Sequence, residues 1–202
     1  MLILPLAFKL ELLSSWPVIA CVLVGESVHW VHPYTPLSEI LSKNHRDRGS
    51  TILMMLSGYA LFIVGLLDYA YWRKPDPTFV GIWSFVGGVV AALGFGIRVW
   101  TVRVLGSYFT ARVKLEDDHQ IINVGPYRAF RIRHPAYLGT LLSAASIPLF
   151  FRSYICVVLF LVVLIPAYVY RIHVEETALK KELGESYTDF SKTTWRLVPF
   201  VY

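Results

Sequence analysis

Long uncharged runs separated by short polar links dominate this chain, and they fall into five windows: 12–31, 51–71, 79–102, 135–151 and 154–170. An α-helix needs about 20 apolar residues to cross a hydrocarbon layer of about 30 Å, so each window predicts a span or most of one. Asp68 stands at the end of the second window and Arg98 in the C-terminal part of the third. The first carries Pro17 and Glu26; as a signal peptide it would lack both a basic cluster at its start and a small-x-small cleavage site. The fourth and fifth windows are separated only by Arg152 and Ser153, a link that permits nothing but a tight helical hairpin. Pro148 and Pro166 predict kinks within it. The expected fold is all-α: a multi-pass membrane bundle of about five helices with a connecting loop and a C-terminal amphipathic helix.

Composition agrees with that pattern. Of 202 residues, 55% are hydrophobic and 16% charged, against about 25% charged in soluble chains, which excludes an ordinary water-soluble globule. Lys and Arg are unequally shared between the two sides of the predicted membrane. Fourteen of the 19 lie in the loops 32–50 and 103–134 and in the tail, so the positive-inside rule places those loops and the C-terminus in the cytoplasm. The net charge of +5 then reads as topology and attraction to anionic lipid, and nucleic acid is not an expected partner. Cys21 and Cys156 sit in apolar runs without ligand spacing, so neither a disulfide nor a metal site is expected.

The chain divides into N-terminal membrane helices over 1–104 and a second unit over 105–202, where the chemistry-bearing residues gather. In 119–137, His134-Pro135 opens the fourth span: Pro suits a first helical position, and the unpaired N–H groups of a helix start can seat a carboxylate or phosphate. Arg128, Arg131 and Arg133 surround it, either for that purpose or to reach lipid headgroups. In 171–187, Arg171 and Glu175 are one turn apart on one helical face with Glu176 beside them, as a solvated ion pair or as inward-facing groups. Leu179 and Leu183 extend an apolar stripe, and Gly184 is placed to stop the helix. The ending, Trp195 to Tyr202, is aromatic and basic, suited to anchoring at the interface or to covering a pocket. Glycines 87, 88, 94 and 96 suggest close helix packing, since no phosphate-loop Lys-Ser follows them.

The order G-P-Y (125–127), R-H-P-x-Y-x-G (133–139), a hydrophobic hairpin, E-E-x-x-L (175–179), L-G-x-x-Y (183–187) and R-L-V-P (196–199) resembles the isoprenylcysteine carboxyl methyltransferase family. The resemblance covers 105–202, about half of the chain. It implies a membrane enzyme holding S-adenosylmethionine in its C-terminal half, closed off by loop and tail. Carried over by position, the implied cofactor contacts are Arg112, His119, Gln120, Ile121, Ile122, Tyr127, His134, Pro135, Ala136, Tyr137 and Glu175. Arg171 matches the arginine near the substrate carboxylate, and Arg171 with Glu175 forms the expected catalytic pair. Tyr127 precedes His134 by seven residues where the family usually has five.

The implied partner is a lipophilic methyl acceptor, such as a prenylated cysteine, entering from the bilayer. A carboxylate acceptor is already an anion at pH 7, so its methylation needs positioning and desolvation and no base. A phospholipid N-methyltransferase would need one, with Glu176 the candidate. A sterol-type reductase would bind a nicotinamide cofactor, and a lipid-binding scaffold would bind none.

Overall fold

A computed structural model describes residues 47–71, 81–106 and 123–202. Among them helix is the only extended regular structure: α1 (Ser50–Tyr71), α2 (Ile82–Leu105), α3 (Pro126–Phe130), α4 (Pro135–Phe151), α5 (Tyr154–Leu159) and α6 (Ile165–Thr193), with a π-helical turn over Phe160–Leu164 joining the last two. Among the described residues, three helical stretches are long and apolar enough to cross a membrane, Ser50–Tyr69, Ile82–Leu105 and the continuous Tyr154–Thr193, and the shorter apolar α4 lies among them. The window 12–31 lies outside the described residues.

The packing between α2 and α4 follows from small residues at heptad spacing. On α2, Ser84, Gly87, Ala91, Gly94, Arg98 and Thr101 are buried, a stripe with alternating steps of three and four. It meets Gly139, Ser143 and Phe150 of α4. A methyl group on Gly94 would lie 2.5 Å from the Gly139 carbonyl oxygen, and one on Gly139 would lie 2.7 Å from that of Gly94. Gly87 likewise admits the Phe150 ring at 3.2 Å, whereas Gly88 and Gly96 face open space. Half of the glycine expectation therefore holds, and it is the half on the buried stripe.

The hairpin forms as its two-residue link requires. Arg152 takes a left-handed conformation (φ 51°), its N–H donating to the Leu149 and Pro148 carbonyls, and the Ser153 hydroxyl caps α5 by accepting from the Cys156 N–H at 3.1 Å. Behind the turn lies part of the apolar core, where Phe151, Leu61 and Cys156 are fully buried. Gly65 makes room there, since a methyl on it would meet the Phe151 ring at 2.6 Å. Cys156 is a buried core thiol, contacting the Leu61 carbonyl at 3.6 Å; Cys21 lies outside the described residues.

Pro166 shapes the second arm of the hairpin. Proline lacks an N–H and its ring collides with the carbonyl one turn earlier in a regular helix. Here the turn before it widens, with the Ile165 N–H donating to the Phe160 carbonyl five residues back. The helix then runs on until Gly184, whose φ of 56° breaks it before the last segment, 185–193. Trp83, Phe85, Leu93, Val158, Val162 and Leu161 project outward from these helices, an apolar exterior that suits hydrocarbon and not water.

Candidate active site

The site lies where α6 leaves its apolar stretch, against the start of α4. Arg171 and Glu176 both point inward, 1% and 3% exposed, so the inward-facing reading of this helix holds over the solvated one. Glu175 stands between them with its side chain 28% exposed. Its Oε2 accepts a 2.5 Å hydrogen bond from the Tyr137 hydroxyl and lies 3.9 Å from Arg171 Nε. Arg171 Nε in turn donates to the Tyr137 oxygen at 3.0 Å. Tyr137 is thus held from both sides, receiving from the guanidinium and giving to the carboxylate.

The far end of Arg171 reaches the beginning of α1. Its NH1 group donates to the Asp47 carboxylate, to the Ser50 hydroxyl at 3.0 Å and to the Thr51 hydroxyl at 2.9 Å. Asp47 is prearranged for this. Its carboxylate accepts from the Thr51 hydroxyl at 2.7 Å and the Thr51 N–H at 3.2 Å, which also satisfies a free donor at the helix start. Burial pushes the Asp47 carboxyl upward, but the Thr51 hydroxyl and the Arg171 charge outweigh it and hold it below the usual carboxylate range. Asp47 is absent from the motifs of the C-terminal half. The signal that could have found it is local: Asp-x-x-Ser-Thr immediately before a long apolar run is a helix-start pattern.

Glu176 holds a second, separate cluster. Arg133 Nε donates to its Oε1 at 2.7 Å, His134 Nε2 lies 3.4 Å from the same oxygen, and Arg196 Nε donates to its Oε2 at 2.9 Å. One carboxylate therefore ties together the entry to α4, the middle of α6 and the tail. The tail is also paired by its backbone: the Trp195 N–H donates to the Arg131 carbonyl at 2.9 Å, and the N–H groups of Arg133 and His134 donate to the Trp195 and Arg196 carbonyls at 2.8 and 3.0 Å. Leu197 is buried in the core, while Phe200 is 86% exposed, so the ending both covers the protein and presents an apolar tip.

The expected site residues are partly united. Pro135 and Ala136 are buried in the first turn of α4, and His134 is buried beside them, stacked on Tyr137 with ring centroids 5.5 Å apart. The chain itself meets part of the hydrogen bonding at this helix start. The tail takes the His134 N–H, and the N–H groups of Tyr137 and Leu138 donate back to the His134 carbonyl at 3.1 and 3.2 Å. Tyr127, in α3, is buried, and that burial together with the nearby Glu175 charge pushes its phenol well up, so it stays protonated. Arg112, His119, Gln120, Ile121 and Ile122 lie outside the described residues. Arg128 and Arg131 are exposed and do not join the cluster.

Fold and site together define an integral membrane protein, all-helical in its described residues, with a buried ionic cluster at the polar end of an apolar hairpin. Residues 85–181 match the model of the isoprenylcysteine carboxyl methyltransferase family. A probable protein-S-isoprenylcysteine O-methyltransferase of Oryza sativa subsp. indica is 32% identical over 161 residues, 77% of this chain and 83% of the rice protein. The protein-S-isoprenylcysteine O-methyltransferase of Dictyostelium discoideum is 27% identical over 166 residues, 78% and 69% of the two chains. One of the two Arabidopsis thaliana enzymes of that name, A, is 29% identical over 154 residues, 74% and 77%. The chain belongs to the isoprenylcysteine carboxyl methyltransferase family, and it is a methyltransferase.

Proposed function

We propose that the protein transfers a methyl group from S-adenosylmethionine to the carboxylate of a lipophilic acceptor such as an isoprenylated cysteine, with its site on the cytoplasmic side of the membrane. The observation that carries this reading is Glu175, the half-open carboxylate in an otherwise closed cluster. Its Oε2 is engaged by Tyr137, and its Oε1 accepts no hydrogen bond among the described residues. At pH 7 the formal charges of Asp47, Arg171 and Glu175 leave one net negative charge. S-adenosylmethionine carries a sulfonium, an ammonium and a carboxylate, hence one net positive charge, so the donor set fits it in sign and in hydrogen-bonding type.

Glu175, Tyr137, His134 and Tyr127 would hold the cofactor, together with Arg112, His119, Gln120, Ile121 and Ile122 of the loop. When bound, S-adenosylmethionine supplies an electrophilic methyl group. The acceptor carboxylate oxygen would take that methyl group, with the carbon–sulfur bonding pair leaving on sulfur. No proton moves. The task left to the chain is orientation and exclusion of water. Arg171 presents the positive charge that orients the acceptor, and the neighbouring apolar helices favour an acceptor that partitions into the bilayer. An amine acceptor would need a base, and Glu176, bound by Arg133, His134 and Arg196, is poorly placed to be one.

The test is equilibrium binding of S-adenosylmethionine to the detergent-purified protein, followed by assay with an N-acylated S-prenylcysteine and with a phospholipid amine. Saturable binding that Glu175→Ala and His134→Ala abolish, and turnover of the carboxylate acceptor alone, are expected. Arg171→Ala should lose turnover even at saturating cofactor. Absence of binding in a folded sample would overturn the reading.

A further inference from the structure

Asp47 precedes α1 and lies 124 residues before Arg171, yet the two meet within the site. From there three contacts run in series. The Asp47 carboxylate takes Arg171 NH1, Arg171 Nε donates to the Tyr137 hydroxyl at 3.0 Å, and that hydroxyl donates to Glu175 Oε2 at 2.5 Å. The first two members are almost fully enclosed, Asp47 at 4% and Arg171 at 1% exposure, and solvent reaches the series at Glu175. A long arginine side chain has many rotamers, and a guanidinium held at one edge only would leave Nε free to turn away from Tyr137.

We infer that Asp47 is a positioning residue for the methyl-transfer site, fixing Arg171 so that Tyr137 and Glu175 are held in the orientation that receives the cofactor. The inference rests on the cofactor site proposed above. Asp47 is suited to it because it is itself immobilised, through the Thr51 hydroxyl at 2.7 Å, the Thr51 N–H at 3.2 Å and the Ser50 hydroxyl at 3.3 Å. The first membrane helix of the described chain would thereby contribute to a site whose motifs all lie in the other half. Three elements would have to be in register at once: the start of α1, the first turn of α4 and the turn of α6 that follows Tyr170.

The experiment is a double-mutant cycle on the full-length protein in detergent, with Asp47→Asn, Tyr137→Phe and the double variant, read as the dissociation constant of S-adenosylmethionine and as the thermal midpoint. Asn retains the helix-start hydrogen bonds while removing the charge that Arg171 meets. Each single variant is expected to weaken binding about tenfold. The double variant should be little weaker than Tyr137→Phe alone, because the hydroxyl link is already cut and only the 3.9 Å approach of Arg171 to Glu175 is left. Effects that multiply to about a hundredfold, or an Asp47→Asn variant that binds as the wild type does, would overturn the inference while leaving the proposed function standing. A wild-type protein that binds no S-adenosylmethionine would overturn both. Should Asp47→Asn lose its fold, Asp47→Glu takes its place in the cycle, since it keeps the charge but displaces the carboxylate from Arg171; a threefold loss of affinity, absent in the Tyr137→Phe background, is then expected, and unchanged affinity overturns the inference.

Discussion

Gly94 and Gly139 lie backbone against backbone, each with its carbonyl oxygen where the other's side chain would begin, at 2.5 and 2.7 Å. No side chain other than hydrogen fits at either position. The contact draws α2 against α4 at the level where Arg98 reaches across to the Thr140 hydroxyl at 2.7 Å. Without a hydrophobic force between helices in lipid, such close approach is what packing energy depends on.

Gly139→Ala should therefore destabilise the bundle, by about 1 to 3 kcal/mol if the helices can shift apart and by more if they cannot. Gly88→Ala, on the open face of α2, should not destabilise it. Thermal unfolding of the two variants in detergent checks the contrast. Equal midpoints would mean that the stripe does not hold the pair together.

Removing the carboxylate of Glu176 leaves Arg133 and His134 buried without their partner. Loss of one member of a buried ionic cluster costs about 3 to 5 kcal/mol, so Glu176→Gln should loosen the tail before it unfolds the bundle. Faster proteolysis at Lys192 and Arg196 in the variant, with the hairpin still protected, is the expected result. Unchanged cleavage would show that the backbone pairing of 131–134 with 195–196 suffices by itself.

The acid limb of stability should carry the mark of Asp47. Its folded-state value lies below the unfolded value of about 3.9, so its contribution is complete above that value and is lost as pH falls through the folded one. Asp47→Asn should lower stability at pH 7 and flatten its fall below about pH 4. Thermal midpoints over pH 3 to 7 decide this, and parallel curves for the two proteins would contradict it.

Cys156 is predicted to resist alkylation in the folded protein, being fully enclosed between Leu61 and the hairpin turn. Mass spectrometry after maleimide treatment, with and without denaturant, reads this directly; modification of the native thiol at the denatured rate would show that the hairpin opens.

Much of this architecture was legible in the residues because the bilayer imposes length and apolarity on helices. The window 135–151 coincides with α4, and 51–71 and 79–102 differ from their helices by a few residues. Pro135 and the Arg152-Ser153 link mark the hairpin limits by local chemistry alone. The stop at Gly184 was equally local. What pattern could not give was the partner of Arg171: helical spacing puts Glu175 one turn away, but nothing in a linear chain says that Asp47 returns across 124 residues. The same is true of Glu176. Its neighbours in sequence suggest a solvated face or a base, whereas the fold surrounds it with two arginines and a histidine. Nor does the linear chain say that the tail, from far along it, supplies the acceptor for the His134 N–H at the start of α4.

The widened turn at Phe160–Leu164 sets the clock angle of everything beyond it. A π turn absorbs one extra residue, and in a regular helix one residue corresponds to about 100° of rotation. Arg171 and Glu176 consequently face the start of α4 only because that surplus residue is taken up before Ile165. Deleting Val162 would ask the helix to become regular while keeping its downstream phase, whereas inserting an alanine there would turn the ionic face toward the lipid. The segment works as a vernier between the apolar arm and the polar one: it can give up its surplus residue, but it cannot take a second.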